Sequence, residues 1–390
     1  MSPTETGYFM NIAPEPATGS GIFRLVAQLD GEVVRRADAH IGFSHRGIEK
    51  LMEGENGLQG LFFCSMLCRP IPFAGEHAFV LAAERLLGIR PPERAEYIRV
   101  LAAELARILS HLKSTADLAD DTGTEIVRPI AARASRRIYA LIARMCGASF
   151  PAAFFRIGGV RNDIPASLPD ELFRWLTKEM PAVLHEIEEL LTENRIFKAR
   201  TVGIGVFNAE QALEAGFSGV NLRASGVAWD LRRTQPYDAY DREPPEVSVG
   251  KKGDCYTRFR LRIYEIYHAL DLIRRVISAM PEGAVMLPEY DVPPRGDSRT
   301  TAESVIRRFK LYADGTRLPA GEVYAATESP FGEAGVYLVS DGSAVPYRCH
   351  FRSAGFPHVQ AAKELLKGCE LADVRPILTS LNFLMTEVDR

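Results

Sequence analysis

Cysteine is scarce: the chain has six in 390 residues, at positions 64, 68, 146, 255, 349 and 369. That is too few and too scattered for a disulfide scaffold, and it fits a reducing compartment. Only Cys64 and Cys68 lie close in sequence, four apart, where a helix would put them on one face. Two thiols without a second pair nearby cannot hold a structural metal, so both are expected as buried core thiols. No run of about 18 apolar residues occurs, which excludes a membrane-spanning helix. Residues 1–11 lack a basic start and an apolar core, so no signal peptide is expected. With 47 basic and 50 acidic residues the net charge is −3, and no basic field points to nucleic acid. Lysine is sparse against arginine, and no internal repeat or low-complexity stretch is visible.

What is present is 46% hydrophobic residues, enough for a large globular chain of two or more lobes. The N-terminal part reads as strands, with Ile22 to Leu29 and Glu32 to Ala37 joined by a two-residue turn at Asp30-Gly31. Helices are expected at 55–68, 76–88, 93–116 and 127–146, then over 169–192 with Pro181 as a kink, and over 256–280. The helix from residue 93 carries Ile98, Leu101, Leu105, Ile108 and Leu112, an apolar stripe at helical spacing. After a linker at 288–296 come a helix at 301–312, strands at 321–328, 334–340 and 346–352, and helices at 357–367 and 372–382. The Gly-rich run at 202–206 lacks the third glycine and the following acidic residue of a dinucleotide loop, so NADH is not expected on this chain.

More specific than any periodicity is the wording. Gly75-Glu76-His77-Ala78-Phe79, Pro91-Pro92-Glu93-Arg94-Ala95-Glu96-Tyr97-Ile98-Arg99, Arg156-Ile157-Gly158-Gly159-Val160 and Ala224-Ser225-Gly226-Val227-Ala228-Trp229-Asp230-Leu231-Arg232 follow one another in order. Gly253-Asp254-Cys255-Tyr256, Gly335-Val336-Tyr337-Leu338-Val339-Ser340-Asp341-Gly342 and the closing Glu387-Val388-Asp389-Arg390 complete the set. Taken together the chain resembles the 49-kDa (D-type) subunit of respiratory complex I, the proton-pumping NADH:quinone oxidoreductase.

That resemblance implies an α+β fold like the large subunit of nickel-iron hydrogenases: a β-rich lobe (1–54), a helical bundle (55–287) and a mixed α/β lobe (288–390). It implies a chain without a prosthetic group, docked peripherally on the cytoplasmic side of the inner membrane. Its partners would be the iron-sulfur B subunit with its [4Fe-4S] cluster, the C subunit, the membrane-embedded H subunit and the ferredoxin-like I subunit. Quinone is the implied substrate, and NAD and FMN belong elsewhere in the complex. The family uses a His in its N-terminal hairpin, a Tyr early in the first helix of the opening pair, and an Asp that holds the His. Here Ser20 stands for the His, Phe79 for the Tyr, and Asp121 is kept. A serine cannot carry a proton near neutral pH as an imidazole can, and a phenyl ring has lost its hydroxyl. Asp121 is then either a solvated surface acid or a carboxylate with a raised pKa. His77, two residues before Phe79, is a candidate pocket residue or a buried structural histidine. His40 and His45 are expected as polar partners.

Two other readings remain. A hydrogenase-type centre needs four thiolates from two Cys-x-x-Cys motifs; Ile71 stands where the thiol after Cys68 belongs, and 380–385 holds no cysteine. A connecting subunit of a related ion-pumping assembly, with another electron acceptor and no quinone chemistry here, would suit the loss at Ser20 and Phe79.

Overall fold

The computed structural model describes residues 8–12, 21–69, 71–293 and 301–390. It is a mixed α+β fold in which small antiparallel sheets flank a large body of helices. The chain opens with β1 (Tyr8–Ile12), β2 (Arg24–Asp30) and β3 (Val33–His40), paired in the order β1-β2-β3. Asp30 pairs with Val33, so the turn is Gly31-Glu32, one residue later than expected; Gly31 takes φ +62°, which a side chain disfavours. A register shift at Gln28/Leu29 absorbs the offset.

The bundle follows: α1 (Ile48–Met52), α2 (Gly57–Leu67), α3 (Ala74–Leu87), α4 (Glu93–Asp121) and α5 (Val127–Cys146). The stripe Ile98, Leu101, Leu105, Ile108 and Leu112 is buried along α4. After the β4–β5 hairpin (Phe155–Arg156, Gly159–Val160) comes α6 (Leu168–Arg174), a π-helical turn over Trp175–Glu179, and α7 (Met180–Leu191). The Pro181 kink is therefore a widened turn: the Met180 N–H donates to the Trp175 carbonyl, and proline enters without breaking the helix. Short helices α8 (Arg195–Ala199), α9 (Ala209–Glu214), α10 (Gly219–Ala224) and α11 (Leu231–Thr234) lead through a 3-10 turn at Asp238–Asp241 to the long α12 (Cys255–Ala279). Asp254 caps α12 by accepting the Thr257 N–H at 2.8 Å.

The C-terminal part comprises α13 (Ala302–Ala313), the sheet β6 (Gly321–Ser329), β7 (Gly332–Ser340) and β8 (Arg348–Arg352), and then α14 (Gly355–Gln360), α15 (Ala362–Leu365), α16 (Val374–Leu381) and α17 (Met385–Val388). Its two halves join different cores. Ala325, Val336, Leu338 and Phe351 of the sheet pack into the helical core. Val359, Leu365, Ile377, Leu381 and Met385 pack with Leu25, Ala27 and Val34 of the first sheet. All six cysteines are unpaired and all but Cys369 are buried. Among the described residues no helix is long and apolar enough to cross a membrane.

Candidate functional site

Helix α4 ends on acids. Asp117, Asp120 and Asp121 fall in its last turns, no basic residue does, and Gly123 (φ +85°) closes the turn beyond it. Carboxylates at a helix C-terminus face the negative end of the macrodipole, so cations must come from elsewhere. On one side Arg128 of α5 donates to Asp117 at 2.9 Å and to Asp120. Lys113 reaches Asp117 at 3.1 Å. On the other side α16 supplies Arg375, whose Nη2 lies 3.1 Å from Asp121 Oδ1, and Thr379, whose hydroxyl donates to Asp121 Oδ2 at 2.5 Å. The Asp121 carboxylate is 1% exposed while Arg375 remains half exposed. Burial pushes the Asp121 carboxyl up, and Thr379 and Arg375 only partly hold it down. Of the two fates expected for this residue, the structure shows the second: a desolvated acid, not a solvated one. Such a group can keep or release a proton.

Ser20 lies outside the described residues. Gly21, which follows it, has φ +103°, and a Cβ there would come within 2.9 Å of Met385 Cβ, so residue 21 lies against α17. The same C-terminal segment makes further contacts along α4 and beyond it. Thr379 and Arg375 hold Asp121, Asn382 donates to Ser110 of α4, and Thr386 donates to the Leu67 carbonyl ahead of α3. Asp389 accepts the N–H groups of Gly42 and Ser44 at 2.8 and 2.7 Å, and His45 Nδ1 meets the Asp389 carbonyl at 2.7 Å, a polar partner as expected.

His77 and Phe79 are elsewhere. Phe79 has no exposed surface and packs in the helical core. His77 is a buried structural histidine: its Nε2 lies 2.5 Å from Asp238 Oδ2, with Phe155 and Tyr237 edge-on to the ring. It also borders a cavity of about 20 Å³, shared with Phe73, Ala103 and Glu328, which is room for one water. Asp238 in turn meets Arg99 of α4 at 3.1 Å, and Arg99 is clamped by Glu84 at 2.6 and 3.0 Å. Arg99 and Asp121 are separated by about 33 Å along α4 at 1.5 Å per residue. The structure therefore places Asp121 against α16 at one end of α4, and His77 and its partners at the opposite end of the helix.

Between the two lies a buried ionic network that the sequence reading did not single out. Glu265 of α12 accepts from Arg223 at 2.6 Å and meets His111 Nε2 at 2.9 Å. Arg223 also reaches Glu328 at 2.7 Å, and Arg232 bridges Asp230 and Glu104 at 2.6 and 3.0 Å. Burial alone would raise the Glu265 carboxyl, but Arg223 and His111 hold it well below the usual range. His111 is pushed down to about 4, chiefly by burial, and is neutral at pH 7. A sequence signal existed: Glu104, Arg107 and His111 recur at spacings of three and four within the apolar stripe of α4, where a solvated face would not put them. Arg375 and Thr379 were also missed, although residues four apart on the expected 372–382 helix share a face.

Comparison with known proteins agrees with the wording of the sequence. The family described as the 49-kDa subunit of respiratory-chain NADH dehydrogenase matches residues 121–390. The NADH-quinone oxidoreductase D subunit of Parvibaculum lavamentivorans is 46% identical over 386 residues, covering 98% of each chain. Its counterpart from Acidiphilium cryptum is 45% identical over 383 residues, 98% of this chain and 94% of that one. The same subunit of Rhodopseudomonas palustris is 46% identical over 390 residues, 98% and 97% of the two chains. With matches running end to end through the acidic tip of α4 and the segment that holds it, this chain belongs to the family of the 49-kDa subunit of respiratory-chain NADH dehydrogenase.

Proposed function

We propose that this chain is the quinone-site subunit of a proton-pumping NADH:quinone oxidoreductase, with the headgroup seated near Asp121 and the end of α16 that holds it. The observation that carries the reading is the desolvated carboxylate of Asp121 at the tip of α4, held from the C-terminal segment. Reducing a quinone takes two electrons and two protons. The electrons come from a [4Fe-4S] cluster on the neighbouring iron-sulfur subunit, and NAD and FMN act further away. This chain positions the headgroup and manages protons. Ser20, which stands for the family's histidine in the sequence, would bring a hydroxyl in place of an imidazole. Phe79 and His77 act from within the packed interior as supports of the wall rather than as proton donors.

The segments 1–54, 55–287 and 288–390 would follow the layout of the nickel-iron hydrogenase large subunit without its thiolate ligands. The chain would sit peripherally on the cytoplasmic side of the inner membrane, between the iron-sulfur B subunit, the C subunit, the membrane-embedded H subunit and the ferredoxin-like I subunit. Helix α13 suits such docking: none of its residues is buried, and Ile306 and Phe309 are exposed.

The test is Asp121→Asn in the assembled complex. Inhibitor-sensitive reduction of a short-chain ubiquinone by NADH is expected to fall at least about 10-fold, with electron transfer to an artificial acceptor upstream of the quinone unchanged. Full quinone turnover in the variant would remove Asp121 from the chemistry, and a parent assembly with no inhibitor-sensitive quinone reduction would favour the connecting-subunit reading.

A further inference from the structure

Three acids crowd the end of α4, and they are not treated alike. Asp117 and Asp120 share Arg128 of α5, and Asp117 also takes Lys113 of its own helix. Asp121 alone turns to α16, where Arg375 and Thr379 sit one turn apart and take one oxygen each. One partner is a guanidinium and the other a hydroxyl. Arg375 approaches from a half-exposed position, whereas Thr379 is buried.

We propose that Arg375 and Thr379 are the positioning residues of Asp121: they fix its carboxylate in one orientation and set how tightly it holds a proton. This rests on the quinone-site reading only for its use in turnover, not for the linkage itself. Both partners stabilise the charged form of Asp121, while Asp117, Asp120, burial and the helix end oppose it. Removing either partner therefore raises the pH at which Asp121 gives up its proton. The buried hydroxyl is the stronger of the two, because it donates directly to Oδ2 away from water, while the half-exposed guanidinium is screened by solvent.

The experiment is an infrared pH titration of the protonated carboxyl of Asp121 in the assembled complex, the band being identified by its loss in Asp121→Asn. In Thr379→Val the midpoint is expected to rise by about 1 pH unit, and in Arg375→Met by less. Arg375→Lys, which keeps the charge, is expected to retain most of the native midpoint. The acid-dependent limb of short-chain ubiquinone reduction should move in the same order. Midpoints of Arg375→Met and Thr379→Val that coincide with the parent overturn the proposal. A shifted band with quinone reduction indifferent to Asp121→Asn would leave the linkage standing and remove the quinone-site reading instead.

Discussion

Glu76 is wholly buried at the start of α3, bonded to Ser65 at 2.5 Å and to the N–H groups of Ala153 and Phe155 at 2.9 and 3.0 Å. Burial outweighs these bonds and pushes its carboxyl up to about 7. Because the folded value lies above the unfolded one, the protonated group favours the fold at low pH, and that contribution is lost as pH rises from the unfolded value through about 7. Glu76→Gln, which cannot ionise, is expected to flatten the decline of melting temperature between about pH 5 and 8. An unchanged slope would show that Glu76 stays charged when folded. Glu265 behaves in the opposite way, as a carboxylate that must be charged. Glu265→Ala removes the partner of buried Arg223 and His111, and about 3–5 kcal/mol of stability should go with it, read from chemical denaturation of the purified chain. Asp121 was legible in the sequence only through resemblance. Its partners were not, because nothing local links position 121 to positions 375 and 379.

Elements were easier to read than contacts. The bundle helices, the two hairpins and the long α12 follow from spacing and caps, which are properties of neighbours in sequence. Where elements cross, the sequence is quieter. Gly75 looked like part of a family phrase, yet a Cβ there would lie 2.1 Å from the Cys64 carbonyl oxygen, so it is the point where α2 and α3 touch backbone to backbone. Gly75→Ala is expected to push the helices apart and cost about 1–3 kcal/mol, measurable as a lowered denaturation midpoint with the slope unchanged. The one-residue slip of the Gly31-Glu32 turn has the same origin: an irregular register in β2 and β3 is a property of the pair, and neither strand shows it alone.

At the scale of the whole molecule, the C-terminal segment is the clasp. Asp389 holds two N–H groups of the 42–44 turn, Glu387 accepts from Ala354, and Thr386 and Asn382 tie down the α2–α3 junction and α4. Asp389→Ala should loosen the first sheet from the bundle by about 3 kcal/mol. Limited proteolysis is expected to cut first near residues 40–47 in that variant, and an unchanged cleavage pattern would show that the clasp does not depend on this carboxylate.

Synthesis proceeds from the N-terminal side, and the residues that neutralise Asp121 emerge long after it. The Thr379–Asp121 bond spans 258 positions. A nascent chain therefore carries a complete α4 whose outermost acid stays bare while all of the intervening polypeptide is made. The corner closes only once α16 has left the ribosome and swung home, so any partner that recognises the closed corner meets a chain whose helical core is already in place.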